Sequence, residues 1–201
     1  MIRAIVWDVG NVLVQWDVRA LYRTIFDDPA DMEHFLAEIW TPAHNLRCDA
    51  GEPYADVIAE VVAAHPEHEA AIRAAWGRWI ETIPGEVEGS LELLTELRVA
   101  GYPQYGLTNF SAETLPLIEH YPQLGLLDDI VASGHVGVTK PDPAIYGIVL
   151  DRAGVDADEA VFLDDSPTNV DGARAVGMPA ILFTDVPSAR RALADMGVRV
   201  A

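Results

Sequence analysis

The sequence predicts an α/β protein, a doubly wound parallel sheet with an all-helical cap inserted after its first strand. Three observations predict it. Ala4-Ile5-Val6-Trp7 is a short apolar run that ends in Asp8 and the turn residues Gly10 and Asn11, which reads as a strand buried on both faces. The pattern recurs where Gln104-Tyr105-Gly106-Leu107 meets Thr108-Asn109 and where Val161-Phe162-Leu163 meets Asp164-Asp165-Ser166. Between them, Ile130-Val131-Ala132-Ser133 precedes Lys140-Pro141. Residues 15 to 84, by contrast, carry helical spacing and no strand signal.

The elements follow in order. Asp17 is placed to cap a helix from Val18 to Phe26, since a short side-chain oxygen there accepts from the first turn. Met32, Phe35, Leu36 and Ile39 give helical spacing over Asp31 to Ile39, and Thr41 to Gly51 reads as a loop. Pro53 suits the first turn of a helix to Ala64, and another helix runs from Pro66 to about Ile80. Past Pro84-Gly85, a helix from Val87 to Ala100 stops at Gly101. The strand to Leu107 leads to a helix from Ser111 to about His120, a loop to Asp129 and the strand at Ile130. Asp142-Pro143 opens a helix that ends at Gly154, and Ser166-Pro167 opens one that ends at Gly177. A strand over Ala180 to Phe183 and a helix from Pro187 to Met196 complete the pattern. The chain thus divides into a core, residues 1–14 and 85–201, and a cap, residues 15–84, packed over the crevice at the strand ends.

A length of 201 residues suits one domain with an insertion or two small domains. No apolar run is long enough for a membrane span, and no basic segment with a long apolar stretch marks a signal peptide. Cys48 is the only cysteine, which excludes an intrachain disulfide and points to a reducing cytoplasm. It reads as a small buried hydrophobe rather than a nucleophile. The net charge of −19, from 13 Lys and Arg against 32 Asp and Glu, argues against nucleic acid and anionic membranes as partners. An anionic ligand needs a metal and a few cations to reverse that potential locally. The expected assembly is a monomer or weak homodimer.

In open α/β sheets, ligands bind beyond the carboxyl ends of the strands. Asp8 is there either a cap on the next turn or a reactive group. If the strands are parallel neighbours, one sheet edge collects Asp8, Thr108, Asn109, Lys140, Asp164 and Asp165, a set suited to phosphate and a divalent cation. Each residue also has an ordinary reading: Lys140 as a surface lysine, Asp164 or Asp165 as a helix cap, Thr108-Asn109 as a plain turn.

Asp8-Val9-Gly10-Asn11-Val12, Thr108-Asn109, Lys140-Pro141 and Asp164-Asp165 stand in the order and approximate spacing of the four motifs of the haloacid dehalogenase superfamily. The whole chain resembles members that carry a helical cap between the first two motifs. The resemblance implies a Rossmann-like core and a set of roles. Asp8 would attack phosphorus to give an aspartyl-phosphate that water then hydrolyses. Thr108 and Asn109 would donate to the phosphoryl oxygens, and Lys140 would offset charge between Asp8 and phosphate. Asp8, the Gly10 carbonyl and Asp165 would hold Mg²⁺, with Asp164 a further ligand or just behind. Asn169 either orients these carboxylates or is a plain helix-surface residue. The substrate implied is a small phosphorylated metabolite, with a sugar phosphate preferred. The alternatives are a metal-free 2-haloacid dehalogenase, a phosphoacceptor module resembling a response-regulator receiver, and an inactive relative.

Gly10 departs from the pattern. Phosphatases of the superfamily usually carry a second aspartate there, which protonates the leaving group. The hydrolytic dehalogenases lack it too, but they use no metal, and Asp164-Asp165 without a cation would repel each other and the substrate. The first motif is closer to that of sugar-phosphate phosphatases such as an α-glucose-1-phosphate phosphatase. Without an acid at position 10, either the leaving group departs unassisted, which favours sugar 1-phosphates over 6-phosphates, or another group assists. The glycine could also mark a backbone angle that aspartate tolerates badly. Trp16, His44, Arg47 and Arg78 are the cap candidates for substrate contact, each with a plainer reading as a surface or packing residue.

Overall fold

A computed structural model describes residues 1–200. The chain opens with strand β1 (Ala4–Trp7) and then runs through helices α1 (Val18–Tyr22), α2 (Pro29–Glu38), α3 (Pro42–Asp49), α4 (Tyr54–Ala64) and α5 (Glu69–Gly77). Helix α6 (Ser90–Val99), β2 (Gln104–Thr108), β3 (Asp129–Ala132), α7 (Ser133–Val136) and α8 (Pro143–Ala153) follow. The last elements are β4 (Ala160–Asp164), α9 (Pro167–Ala175), β5 (Ala180–Leu182) and α10 (Val186–Asp195). The five strands form one parallel sheet in the order β3-β2-β1-β4-β5. The order reverses on either side of β1, so the crevice opens beside the end of that strand. No described helix is long and apolar enough to cross a membrane.

Both faces of the sheet are covered, as the unbroken apolar strands require. Ile5 and Trp7 face a cluster that continues into the insertion through Phe35, Tyr54 and Ile72. Ala4 and Val6 face a second cluster with Ile145, Val149 and Val170 from α8 and α9. The helical insertion therefore shares one apolar cluster with a face of the sheet.

Four local expectations change. Thr41 to Gly51 is not a loop: α3 occupies it, with Pro42 in its first turn and Thr41 and His44 in a reciprocal capping box, a start signal that the polar composition obscured. The helix expected from Ser111 to His120 shrinks to a 3₁₀ turn over Leu115–Ile118, where Pro116 lacks the donor an α-helix needs. The segment from Pro66 to Thr82 is two 3₁₀ turns flanking α5. Helix α1 stops at Tyr22 rather than Phe26, capped as expected by Asp17, which accepts from Arg19 N at 2.9 Å.

Helix α9 packs so closely on the turn that carries Lys140 that a Cβ at Gly172 would lie 2.8 Å from Tyr146 Oη and 2.9 Å from Pro141 Cβ. Gly172→Ala, which an exposed helix would welcome by about 1 kcal/mol, is therefore expected to cost about 1–3 kcal/mol through overpacking. Urea unfolding of the two proteins measures this, and an unchanged or raised midpoint would contradict the close approach.

Candidate active site

Asp8 follows β1, and its N–H donates to Leu163 O at 2.8 Å, which continues the ladder to β4 by one residue. The turn after it is tight. Val14 N and Leu13 N both return to Val9 O, and Asn11 sits at φ 57°, a left-handed conformation that asparagine tolerates better than most residues. That turn aims the Asn11 amide in two directions. Its Oδ1 accepts from Trp16 N at 3.0 Å, and its Nδ2 donates to Asp165 Oδ2 at 3.2 Å. Asn11 thus ties the first turn to the acidic pair across the crevice, a role that no local sequence signal marks.

Lys140 is the centre of the charge arrangement. Its Nζ lies 2.8 Å from Asp8 Oδ1, 2.7 Å from Asp164 Oδ2 and 2.9 Å from Leu107 O. Three acceptors use the three donors of an ammonium. The side chain is 1% exposed, so the surface-lysine reading fails. Burial acts to lower the Lys140 pKa, but the two carboxylates outweigh it and hold the group above its ordinary value. Asn109 holds the backbone beside it: its Nδ2 donates to Lys140 O at 3.0 Å and its Oδ1 accepts from Lys140 N at 2.7 Å. The Asn109 amide is thus engaged with the chain.

Asp164 is fully buried. Its Oδ1 accepts from Ser166 N at 2.8 Å and from Asn169 Nδ2 at 3.0 Å, while its Oδ2 takes Lys140 and a second contact from Asn169 at 3.1 Å. Asn169 is therefore an orienting residue rather than a plain surface one. Asp8 Oδ1 accepts from both Val9 N, at 2.7 Å, and Lys140. No donor among the described residues engages its Oδ2. Burial pushes the Asp8 carboxyl up to about 7, with Lys140 opposing and Asp164 adding to the rise. Burial and Asp164 likewise hold Asp165 above its ordinary range, against Asn11.

Asp8, Asp164 and Asp165 bring carboxylate oxygens within 4.8 Å of one another. Three carboxylates against one buried ammonium leave an excess of two negative charges, which is what one divalent cation neutralises. Hard oxygen donors suit Mg²⁺ or Ca²⁺. Gly10 stands beside them at an ordinary negative φ, and a Cβ there would meet only Trp16 Cβ at 3.9 Å. The backbone-angle explanation of Gly10 is thereby removed: a Cβ fits.

A cavity of about 260 Å³ opens over this cluster. The sheet edge lines it with Asp8, Gly10, Thr108, Asn109, Lys140 and Asp165, and the insertion adds Trp16, Asn45, Asp49 and Trp79. Of the four cap candidates, only Trp16 reaches it. His44 accepts from Thr41 N at 3.0 Å and stacks on Trp40. Arg47 is held by Glu52 and Glu60, and Arg78 by Glu81 and Thr24. Asn45, Asp49 and Trp79 carried no motif signal, and the misread loop hid that Asn45 and Asp49 lie one turn apart on α3. Cys48 is buried, and burial pushes its thiol up to about 12, which fits a packing role.

A family model described as haloacid dehalogenase-like hydrolase matches residues 2–177. The sesquiterpene phosphatase astK of Aspergillus oryzae is 28% identical over 184 residues, covering 91% of this chain and 90% of that protein. The drimenol cyclase drtB of Aspergillus calidoustus is 28% identical over 208 residues, but this chain spans only 37% of the cyclase's length. Among solved structures, a HAD family enzyme of Bacteroides thetaiotaomicron in complex with magnesium and inorganic phosphate superposes with a TM-score of 0.68. That match covers 92% of this chain and 96% of that one at 20% identity, and it speaks for the fold.

The excess charge has a cost in the metal-free protein. Asp8 is raised from 3.8 to about 7, so the folded state favours its protonated form. The stability tied to this proton is full below pH 4 and lost as pH rises through 7. Asp8→Asn removes the charge, so in EDTA its Tm is expected to exceed wild type by about 3 °C or more above pH 7, with the gap narrowing as pH falls towards 4. A gap that widens on acidification would contradict the sign.

Proposed function

The chain belongs to the haloacid dehalogenase-like hydrolases, and from that premise we propose that it is a cytoplasmic, Mg²⁺-dependent phosphatase of a small phosphorylated metabolite, with a sugar phosphate preferred. The observation that carries the reading is the three-carboxylate cluster that Lys140 offsets only in part. A metal-free dehalogenase would leave that excess charge facing an anionic haloacid.

Asp8 is the nucleophile, through the oxygen that Lys140 and Val9 leave unengaged. It attacks phosphorus, the bond to the leaving oxygen breaks, and water later hydrolyses the aspartyl-phosphate. Lys140 holds Asp8 in place and offsets charge as the phosphoryl group approaches. Thr108 and Asn109 line the phosphate end, with Thr108 as a side-chain donor and the Asn109 amide bracing Lys140. Asp8, the Gly10 carbonyl and Asp165 would hold Mg²⁺. Asp164, with both oxygens already hydrogen-bonded, stands behind them. When bound, the ion neutralises phosphoryl charge and orients the ester for in-line attack. Asn169 and Asn11 keep the two carboxylates of the pair aimed.

A second reading concerns the alcohol half of the ester. A further cavity of about 250 Å³, lined by Trp16, Val18, Leu36, Trp40 and Pro42 together with the paired Arg19 and Glu33, shares Trp16 and Asn45 with the first. It suits an apolar group, as does the likeness to a sesquiterpene phosphatase. The kcat/KM values for a sugar 1-phosphate and for a farnesyl monophosphate decide between the two.

Hydrolysis of p-nitrophenyl phosphate is expected, abolished by EDTA and by Asp8→Asn. Full activity in EDTA, halide release from 2-chloropropionate, or a single burst of phosphate with no turnover would overturn the phosphatase reading. In calorimetric Mg²⁺ titrations, Asp165→Ala is expected to weaken binding at least tenfold more than Asn169→Ala, since loss of an orienting partner costs about 10–100-fold and loss of a ligand costs more. Equal titrations of both variants would refute the assignment.

A further inference from the structure

We propose that Asp49, carried by α3 of the insertion, is the general acid that protonates the leaving group and then the base that activates water, replacing the carboxylate absent at Gly10. The proposal rests on the phosphatase reading above and concerns its missing proton donor.

In-line displacement puts the leaving oxygen on the side of phosphorus away from Asp8, so the donor must reach the cavity from outside the sheet edge. Four titratable side chains line that cavity: Asp8, Asp165, Lys140 and Asp49. Asp8 is spent as nucleophile. Asp165 belongs to the acidic cluster. All three Lys140 donors are engaged. Asp49 remains, and it enters from the insertion, as do Trp16, Asn45 and Trp79, none of which titrates.

The position is built rather than incidental. Ser133 Oγ donates to Asp49 O at 2.5 Å and accepts from Phe110 N at 2.9 Å, which fastens the end of α3 to the loop after β2. One turn earlier, Asn45 Nδ2 donates to Asp49 Oδ2 at 3.1 Å, and Tyr54 Oη in turn donates to Asn45 Oδ1 at 3.3 Å. This chain sets the carboxyl orientation. Asp49 is the last residue of α3, where the negative end of the helix dipole disfavours a carboxylate.

Across the cavity stand Asp8, Asp165 and Lys140, and the Lys140 ammonium is turned to Asp8 and Asp164. Cys48 and Tyr54 are neutral, Glu113 is acidic and is bonded to Tyr54 N, and Arg47 is turned to Glu52 and Glu60. Burial pushes the Asp49 carboxyl up to about 7, with the Ser111 N–H opposing. An acid of that strength is efficient near neutral pH. The first step forms the bond from Asp8 to phosphorus and breaks the ester bond. The leaving oxygen keeps the electron pair and takes the Asp49 proton, giving the alcohol and an Asp49 carboxylate. In the second step that carboxylate accepts a proton from the attacking water, and the bond from phosphorus to Asp8 breaks, restoring both groups.

The test compares kcat/KM, which covers events only through leaving-group departure, for an alkyl phosphate (glycerol phosphate) and for p-nitrophenyl phosphate, whose phenolate leaves without a proton. Asp49→Asn is expected to lower the alkyl value by about 10²-fold or more, and to lower the alkyl-to-aryl ratio by about tenfold or more. Wild type should lose alkyl activity as pH rises through about 7, and the variant should lack that descending limb. Asp49→Ala, which needs no amide partner, should repeat the selective loss. Equal losses on both esters, or a limb that persists in the variants, would overturn the proposal. Absence of phosphate release from either ester by the Mg²⁺-loaded wild type would instead overturn the phosphatase reading, and it shows before any variant is made.

Discussion

The ammonium of Lys140 is the contact on which the site depends. It sits in a fully enclosed position between a strand carbonyl, Asp8 and Asp164. Burying such a charge is costly unless every donor is paired in good geometry, and here each one is. The three contacts draw together the ends of β1, β2 and β4. Asn109 on one side and the close packing of α9 on the other keep the Lys140 segment from shifting. A substrate therefore meets carboxylates whose positions are set before it arrives, which is the condition for electrostatic preorganisation.

The same construction would let an acidic protein take the anionic ligand proposed above. The overall charge of −19 repels phosphate at long range, yet within a few ångströms the balance is decided by one buried lysine and the cation that the carboxylate excess attracts. The insertion contributes chemistry of a different kind. It carries no arginine or histidine into the cavity. It supplies two tryptophans, an amide and one carboxyl, and its helices share an apolar cluster with the sheet. That shared packing is what lets a carboxyl on α3 hold a fixed place relative to Asp8.

Much of the core was legible. The apolar runs before Asp8, Thr108 and Asp164 are strands because both faces of this sheet are covered, so no polar alternation breaks the signal. Proline and glycine punctuation marked α8, α9 and α10 to within a residue or two. The legible part stopped where local signals conflicted. Pro42, His44 and Asn45 looked like loop residues although Thr41-Pro42 is a helix start. Ser111 looked like a cap, but Pro116 left only a 3₁₀ turn behind it. Asn11 was visible as a turn residue, but its hold on Asp165 spans 154 positions of sequence.

The sequence by itself determined the order of chemical groups along the chain and the strand ends on which they sit: a carboxylate, a hydroxyl and amide, a lysine, an acidic pair. Period and punctuation are local, so one chain suffices to read them. Tertiary structure alone decided which of those groups touch. It gave Lys140 both Asp8 and Asp164, filled both oxygens of Asp164 with hydrogen bonds, and turned Arg47 and Arg78 to glutamates outside the cavity. It also brought Asp49 into the lining of the cavity that Asp8 and Asp165 share. Hydrogen bonding and burial depend on distance in space, and nothing in the spacing between Asp8 and Asp49 encodes the helix packing that closes the gap.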